Sequence, residues 1–135
     1  MKPAQRVLDS YSLMAYLEGE KGKETVIEVL KTARDSGQNA FLSLVNWGEV
    51  FYITLRETGQ EKAEQVVRLL SNLPIELVPV DLELTKMAAT LKAHKKMSYA
   101  DCFAAALAKL KKAELVAGDK EFKEVEKEAK ILWIS

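Results

Sequence analysis

Apolar side chains along this chain recur with two different periods, and the two alternate from end to end. Short apolar runs of the kind a strand buried on both faces requires fall at residues 6–8, 40–42, 75–80, 114–117 and 131–134. Between them the spacing changes to the i, i+3, i+4, i+7 recurrence of an amphipathic helix. Residues 82–95 show it most plainly, with Leu84, Met87, Ala88 and Leu91 in register. Residues 23–35 place Val26, Ile27, Leu30 and Ala33 on one face, with Gly37 as the stop. Further helices are predicted over 10–17, closed near Gly19, over 44–57, and from beyond Gly59 to about 73, where Pro74 ends the helix. Another runs to about residue 112 with Ser98 as its cap. Residues 120–128 read as a short helical turn.

Two of these helices depart from the amphipathic pattern. In 44–57, Val50, Phe51, Tyr52 and Ile53 follow one another, which no single helical stripe accommodates, so this helix is expected to be buried on more than one side. In the helix after Ser98, the centre Ala104-Ala105-Ala106-Leu107-Ala108 is apolar all round, as in a helix sandwiched within a fold. Strands alternating with helices imply an α/β fold with a parallel sheet covered on both faces. In such sheets ligands bind outside the carboxyl ends of the strands, where the strand order reverses.

Composition narrows the picture. The 135 residues fit one domain, and the 48% hydrophobic content supports a core without disulfide or structural metal. No linker, low-complexity segment or internal repeat divides the chain. Twenty Lys+Arg offset twenty Asp+Glu, which argues against a protein that coats polyanions with its whole surface. An enzyme meeting nucleic acid through one local patch stays open. Cys102 is the sole cysteine, so neither an intrachain disulfide nor a Cys-rich zinc site can form. The first apolar stretch is interrupted by Asp9, too early for a signal-peptide core. No run approaches the roughly 18 apolar residues of a membrane helix, and a soluble, cytoplasmic protein is expected.

The candidate chemistry lies in carboxylates. Asp9 follows the first strand and precedes a helix, Asp119 stands likewise after the fourth strand, and Asp101 lies in the first turn after Ser98. Each has an adequate structural explanation as a cap or first-turn acid. Glu49 has none of these. It is the only charged residue between Phe41 and Leu55, on the helix expected to be buried. A carboxylate there is costly unless paired, protonated or metal-bound; the plain alternative is a packing gap that reaches solvent. If the first and fourth strands are neighbours at the reversal point, Asp9 and Asp119 open into one crevice that Asp101 and Glu49 flank. Asp81 also joins a strand to a helix, but its strand is expected at the sheet edge, so it reads as a cap only. Four carboxylates in one crevice form the all-oxygen, high-charge site that Mg²⁺ or Mn²⁺ occupies. No His or Cys cluster competes for zinc, and His94, the sole histidine, is expected at the surface.

The segments Val7-Leu8-Asp9-Ser10-Tyr11, Asn46-Trp47-Gly48-Glu49-Val50, Ser98-Tyr99-Ala100-Asp101-Cys102-Phe103 and Ala117-Gly118-Asp119-Lys120-Glu121-Phe122 together resemble the PIN domain. More narrowly they resemble the VapC toxins of toxin–antitoxin pairs. The similarity spans essentially the whole chain in motif order and spacing. It implies a three-layer Rossmann-like sheet of order 3-2-1-4-5, Mg²⁺-dependent endoribonuclease activity (Mn²⁺ being a substitute), homodimerisation, and inhibition by a cognate antitoxin. By position, the family's acids are Asp9, Glu49, Asp101 and Asp119, with Asp9 and Asp119 the main metal ligands and the other two completing the shell. Ser43 or Asn46 falls where the family often carries a polar residue near the site. Attack by metal-activated water on RNA leaves a 5′-phosphate and a 3′-hydroxyl.

Two other readings compete. A phosphatase using Asp9 as nucleophile needs a second Asp where Tyr11 stands. A non-catalytic binding module is opposed by the intact set of acids. Lys92, Lys95, Lys96, Lys109, Lys111 and Lys112 can guide a phosphate backbone or simply suit helix C-termini. The excess of apolar residues Trp47, Phe51, Tyr52, Ile53, Leu55, Val66 and Leu69 predicts a protein–protein surface on the 44–57 helix and its successor, for a second copy and an antitoxin.

Overall fold

The structure, a computed structural model, describes residues 4–135. Five strands, β1 (Arg6–Leu8), β2 (Ala40–Ser43), β3 (Ile75–Val78), β4 (Glu114–Ala117) and β5 (Ile131–Trp133), form one sheet. Its order is β3-β2-β1-β4-β5 and every pairing is parallel, as the alternation of elements and the family resemblance implied. The helices are α1 (Ser10–Glu18), α2 (Lys23–Ser36), α3 (Leu44–Thr58), α4 (Gln60–Ser71), α5 (Leu82–His94) and α6 (Tyr99–Lys111), and a 3₁₀ turn spans Lys120–Val125. The chain builds outward from β1 to β3, then returns to lay β4 against the free side of β1. The order therefore reverses between β1 and β4, which pair Leu8 with Val116.

Successive strand residues point to opposite faces, and the core divides accordingly. Val7, Phe41, Leu115 and Ala117 face a layer that includes Leu84, Leu91, Phe103 and Leu107 from α5 and α6. Leu8, Leu42 and Val116 face the other layer, with Leu13, Val26, Leu30, Val50 and Leu70. Every residue of α6 from Asp101 to Ala108 is buried, as its all-round apolar centre predicted. Its small alanines let β1, α3 and α5 approach closely.

Three expectations change. β3 ends at Val78 instead of residue 80, because Pro79 has no N–H to continue the ladder. On α2, Val29 is buried while Ile27 is only half-buried. The larger correction concerns α3, whose buried residues are Asn46, Val50 and Thr54, a single stripe. Phe51 and Ile53 are half-buried and Tyr52 is 49% exposed. The helix packs on α1, α4 and α6 along one side and leaves its surplus apolar residues outward. No helix among the described residues is long and apolar enough to cross a membrane.

Candidate functional site

Where β1 runs out, Asp9 adopts an extended backbone and caps α1. Its Oδ1 accepts the Ser12 N–H at 2.7 Å, while the Ser12 hydroxyl donates to the Asp9 carbonyl at 2.9 Å and accepts the Asp9 N–H at 3.1 Å. The cap explains only half of the carboxylate. Asp9 is completely buried, and its Oδ2 has no hydrogen-bond partner among the described residues. Burial, with the charge of Asp119 adding to it, pushes the Asp9 pKa up to about 7 against the pull of the Ser12 hydrogen bonds.

Across the strand-order reversal, Asp119 follows β4 and caps the 3₁₀ turn, its Oδ1 accepting the Glu121 N–H at 2.8 Å. Glu121 in turn accepts the Ser98 N–H at 2.8 Å, tying the turn to the start of α6. Ser98 caps α6 by accepting the Asp101 N–H at 3.2 Å, so the Asp101 carboxyl is presented from the first turn. Burial raises the Asp101 pKa to about 8, followed by a hydrogen bond with Glu121 that requires one of the two carboxyls to be protonated, and then by the charges of Asp119 and Asp9. Asp101, Asp119 and Glu121 each offer an oxygen, and these oxygens lie within 4.8 Å of one another.

Glu49 reaches the same cleft from α3. It is half-buried, and hydrogen bonds stand in for the enclosure expected of it. Its Oε1 accepts from the Ser10 hydroxyl at 2.7 Å and from Asn46 Nδ2 at 3.1 Å. The same Asn46 nitrogen donates to the Ala100 carbonyl at 3.2 Å, joining α3 to α6. Asn46 is buried and its Oδ1 has no partner. Ser43 is also buried, but its hydroxyl is occupied in capping α3 through the Val45 N–H.

The cleft holds about 380 Å³ and is lined by seven carboxylates, those of Glu18, Glu20, Glu49, Glu57, Asp101, Asp119 and Glu121. Among the described residues, no lysine, arginine or histidine lines it. Such an all-oxygen donor set, with a buried Asp9 oxygen left unpartnered beside it, fits a hard divalent cation. The four acids anticipated from the sequence are gathered at the carboxyl ends of β1 and β4. Among the described residues, however, the group within ligating reach of one ion contains Asp101 and Asp119 with Glu121, in place of Asp9 and Glu49. Glu121 was legible as a second acid two residues beyond Asp119. Glu18, Glu20 and Glu57 come from element ends that no local pattern places in the cleft.

Other candidates lie elsewhere. Asp81 is exposed and caps α5, accepting the Leu84 N–H at 2.8 Å. His94 is exposed in the last turn of α5. Lys92 donates to the Met97 carbonyl, Lys95 and Lys109 pair with Glu128, and Lys111 stands over the Phe41 ring.

A trough leads away from the acids. Met14 and Glu18 line both the cleft and a groove between α1, α3 and α4. Leu17 and Leu69 continue that groove into a larger one of about 630 Å³, whose floor includes Ile27, Leu30 and Leu73 and whose rim carries Lys23, Lys31 and Arg34.

The model of the PIN domain family matches residues 6–128. The chain belongs to the PIN domain family. No curated protein sequence matches this PIN domain, but several solved structures share its fold. A DNA-bound VapBC from Salmonella typhimurium is 13% identical over 98% of this chain and 100% of that one, with a TM-score of 0.77. VapBC2 from Rickettsia felis, bound to a DNA fragment from its promoter, is 15% identical over 96% and 98%, with a TM-score of 0.76. The sarcin–ricin-loop-cleaving toxin VapC20 from Mycobacterium tuberculosis is 16% identical over 88% and 93%, with a TM-score of 0.64.

Proposed function

We propose that this PIN domain is a divalent-metal-dependent endoribonuclease of the cytoplasm, forming one domain over the whole chain, and the toxin of a toxin–antitoxin pair. The observation that carries the reading is the convergence of Asp101, Asp119 and Glu121 within 4.8 Å in a cleft that no cationic side chain lines among the described residues. Asp101, Asp119 and Glu121 would hold the ion, Mg²⁺ or Mn²⁺, and Asp9 supports it from the buried side. When bound, the cation supplies charge neutralisation at the scissile phosphate and activation of water. Glu49, fixed through Oε1 by Ser10 and Asn46, keeps Oε2 as the acceptor for a water proton. Water attack leaves a 5′-phosphate and a 3′-hydroxyl. The test is incubation of the purified chain, freed of any partner, with single-stranded RNA in Mg²⁺ or Mn²⁺, followed by end-group analysis. Cleavage unaffected by excess EDTA overturns the reading.

The partners follow from two surfaces. A peptide with a basic end, an apolar middle and an acidic end complements the trough, and an antitoxin of that pattern would close the cleft; two of the structural neighbours are VapBC assemblies. The surface expected on α3 and α4 is redistributed. Val66 belongs to the core, Leu69 lines the trough, and Arg56 stands over the Tyr52 ring. A second copy would instead cover Leu44, Leu77, Val80 and Leu82, of which Leu82 is 82% exposed. Light scattering that finds only monomer at high micromolar concentration overturns the homodimer.

A further inference from the structure

A nuclease cleft whose charged lining residues, among those described, are all acids has no cationic side chain to attract a phosphate backbone, so its grip on RNA must come from another interaction. The nucleobases are uncharged, and the carboxylates do not repel them. One aromatic side chain, Tyr11, lines the cleft. It stands in the first turn of α1, two residues beyond Asp9, and is 42% exposed.

Its surroundings make it a fixed surface. The ring lies directly against Gly118, the residue before Asp119. A Cβ added at Gly118 would fall 2.3 Å from Tyr11 Cε1 and 2.7 Å from Cδ1, distances that no real contact allows. Gly118 is absent from the glycines with positive φ, so the backbone does not require glycine there. The close approach of the ring does. The backbone beneath the ring is held in turn, since Ser135 Oγ donates to the Gly118 carbonyl at 2.8 Å and the Ile134 N–H to the Ala117 carbonyl at 3.0 Å. Tyr11 is thus backed by pinned main chain on one side, open on the other, and adjacent to the metal-ligating cluster.

We propose that Tyr11, seated on Gly118, is a stacking platform for one unpaired nucleobase of the RNA beside the scissile phosphate. This rests on the ribonuclease reading above. Stacking on an aromatic side chain tolerates any base and contributes to binding more than to the chemical step. Tyr11 is therefore a substrate-positioning residue whose effect belongs in KM.

The test is steady-state cleavage of short single-stranded RNAs, each carrying an abasic nucleotide at one position flanking the cut, by wild type, Tyr11→Ala, Tyr11→Phe and Gly118→Ala. In wild type, one abasic position is expected to raise KM by roughly tenfold or more with little change in kcat. Tyr11→Ala raises KM on intact RNA by a similar factor and no longer responds to that position. Tyr11→Phe restores both the KM and the response. Gly118→Ala raises KM in the wild-type background and adds nothing to Tyr11→Ala, because the methyl group then has room. If wild type cuts none of the RNAs, the ribonuclease reading fails and the platform with it. If wild type cuts them while Tyr11→Ala keeps the wild-type KM and the wild-type response at every abasic position, the platform alone is overturned.

Discussion

β1 and β4 lie side by side, yet their two ends treat negative charge in opposite ways. At the amino ends, Glu114 has only 10% of its side chain exposed and is met by Arg6 Nε at 3.0 Å and Lys130 Nζ at 3.7 Å. At the carboxyl ends, Asp9 and Asp119 are joined by Asp101 and Glu121, and no cationic side chain among the described residues lines the cleft. The same two strands therefore carry a compensated acid at one end and uncompensated acids at the other. Burial raises Asp9 and Asp101 at one end, and cationic partners offset it for Glu114 at the other. Glu128 makes the same point away from the sheet, since Lys95 and Lys109 hold its carboxyl below the usual range. A cluster in which the Asp9 and Asp101 carboxyls are pushed upward opposes folding at neutral pH, a cost that the proposed cation would offset.

The sharpest way to break this comparison is to remove one charged group from each end. Asp119→Asn or Asp101→Asn should lower RNA cleavage by roughly 10²-fold or more, because each removes a proposed ligand while keeping side-chain size. Arg6→Met should leave the initial rate essentially unchanged. Rates on single-stranded RNA in excess Mn²⁺ decide it, and comparable losses at both ends would erase the functional distinction.

The second expectation is a pH dependence of stability that runs opposite to that of a salt-bridged acid. In the native state Asp9 titrates at about 7 and Asp101 at about 8, against 3.8 for an ordinary Asp. Between the unfolded and native values the unfolded chain has released protons that the native chain still holds. Ionisation therefore favours the unfolded state through this window. In metal-free buffer these groups should make the melting temperature fall as pH rises from about 4 to about 8, and contribute no further slope above that range. Asp101→Asn should flatten the slope. Excess Mn²⁺ near neutral pH should raise the melting temperature, because the ion binds the native cluster and scarcely the unfolded chain. Calorimetric scans across pH, with EDTA and with Mn²⁺, read both effects. A melting temperature that climbs with pH in EDTA would contradict the uncompensated cluster.

A smaller effect is expected from the compensated end. Among the described residues, Arg6→Met leaves the nearly buried Glu114 carboxylate with the more distant, exposed Lys130. The loss should be roughly 1–2 kcal/mol, between that of a charge-assisted hydrogen bond and that of a surface ion pair. Urea unfolding of the variant measures it directly.

The alternation of apolar runs made the sheet legible because a parallel strand buried on both faces has few other sequence patterns open to it. The order 3-2-1-4-5 came from the family resemblance, since short connections alone allow other orders. Asp9, Asp101 and Asp119 were visible through their positions at element ends, where local rules apply. Glu49 was singled out for the wrong reason. Val50, Phe51, Tyr52 and Ile53 suggested enclosure, whereas α3 buries only one stripe and Ser10 and Asn46 satisfy the carboxylate. Glu18 and Glu57 were hidden because they meet only through the packing of α1 against α3.

The finest discrimination lies between two aspartates that look alike locally. Asp81 and Asp119 each follow a strand in extended backbone and cap the next helical segment, through the Leu84 and Glu121 N–H groups respectively, both at 2.8 Å. Asn is about as good an N-cap as Asp, so replacing either by Asn keeps the capping hydrogen bond and changes only the charge. Asp81 is exposed and does not line the acidic cleft, so Asp81→Asn should alter stability by no more than a few tenths of a kcal/mol, with or without metal. Asp119 repels Asp9 and Asp101, so Asp119→Asn should be neutral to slightly stabilising in EDTA. Its second signature is the loss of the melting-temperature rise that Mn²⁺ gives to wild type and to Asp81→Asn alike. Thermal melts of the three proteins, each in EDTA and in excess Mn²⁺, supply the full cycle. If Asp119→Asn is destabilised in EDTA and still gains the full Mn²⁺ shift, then Asp119 is a cap like Asp81, and the cation site must be sought without it.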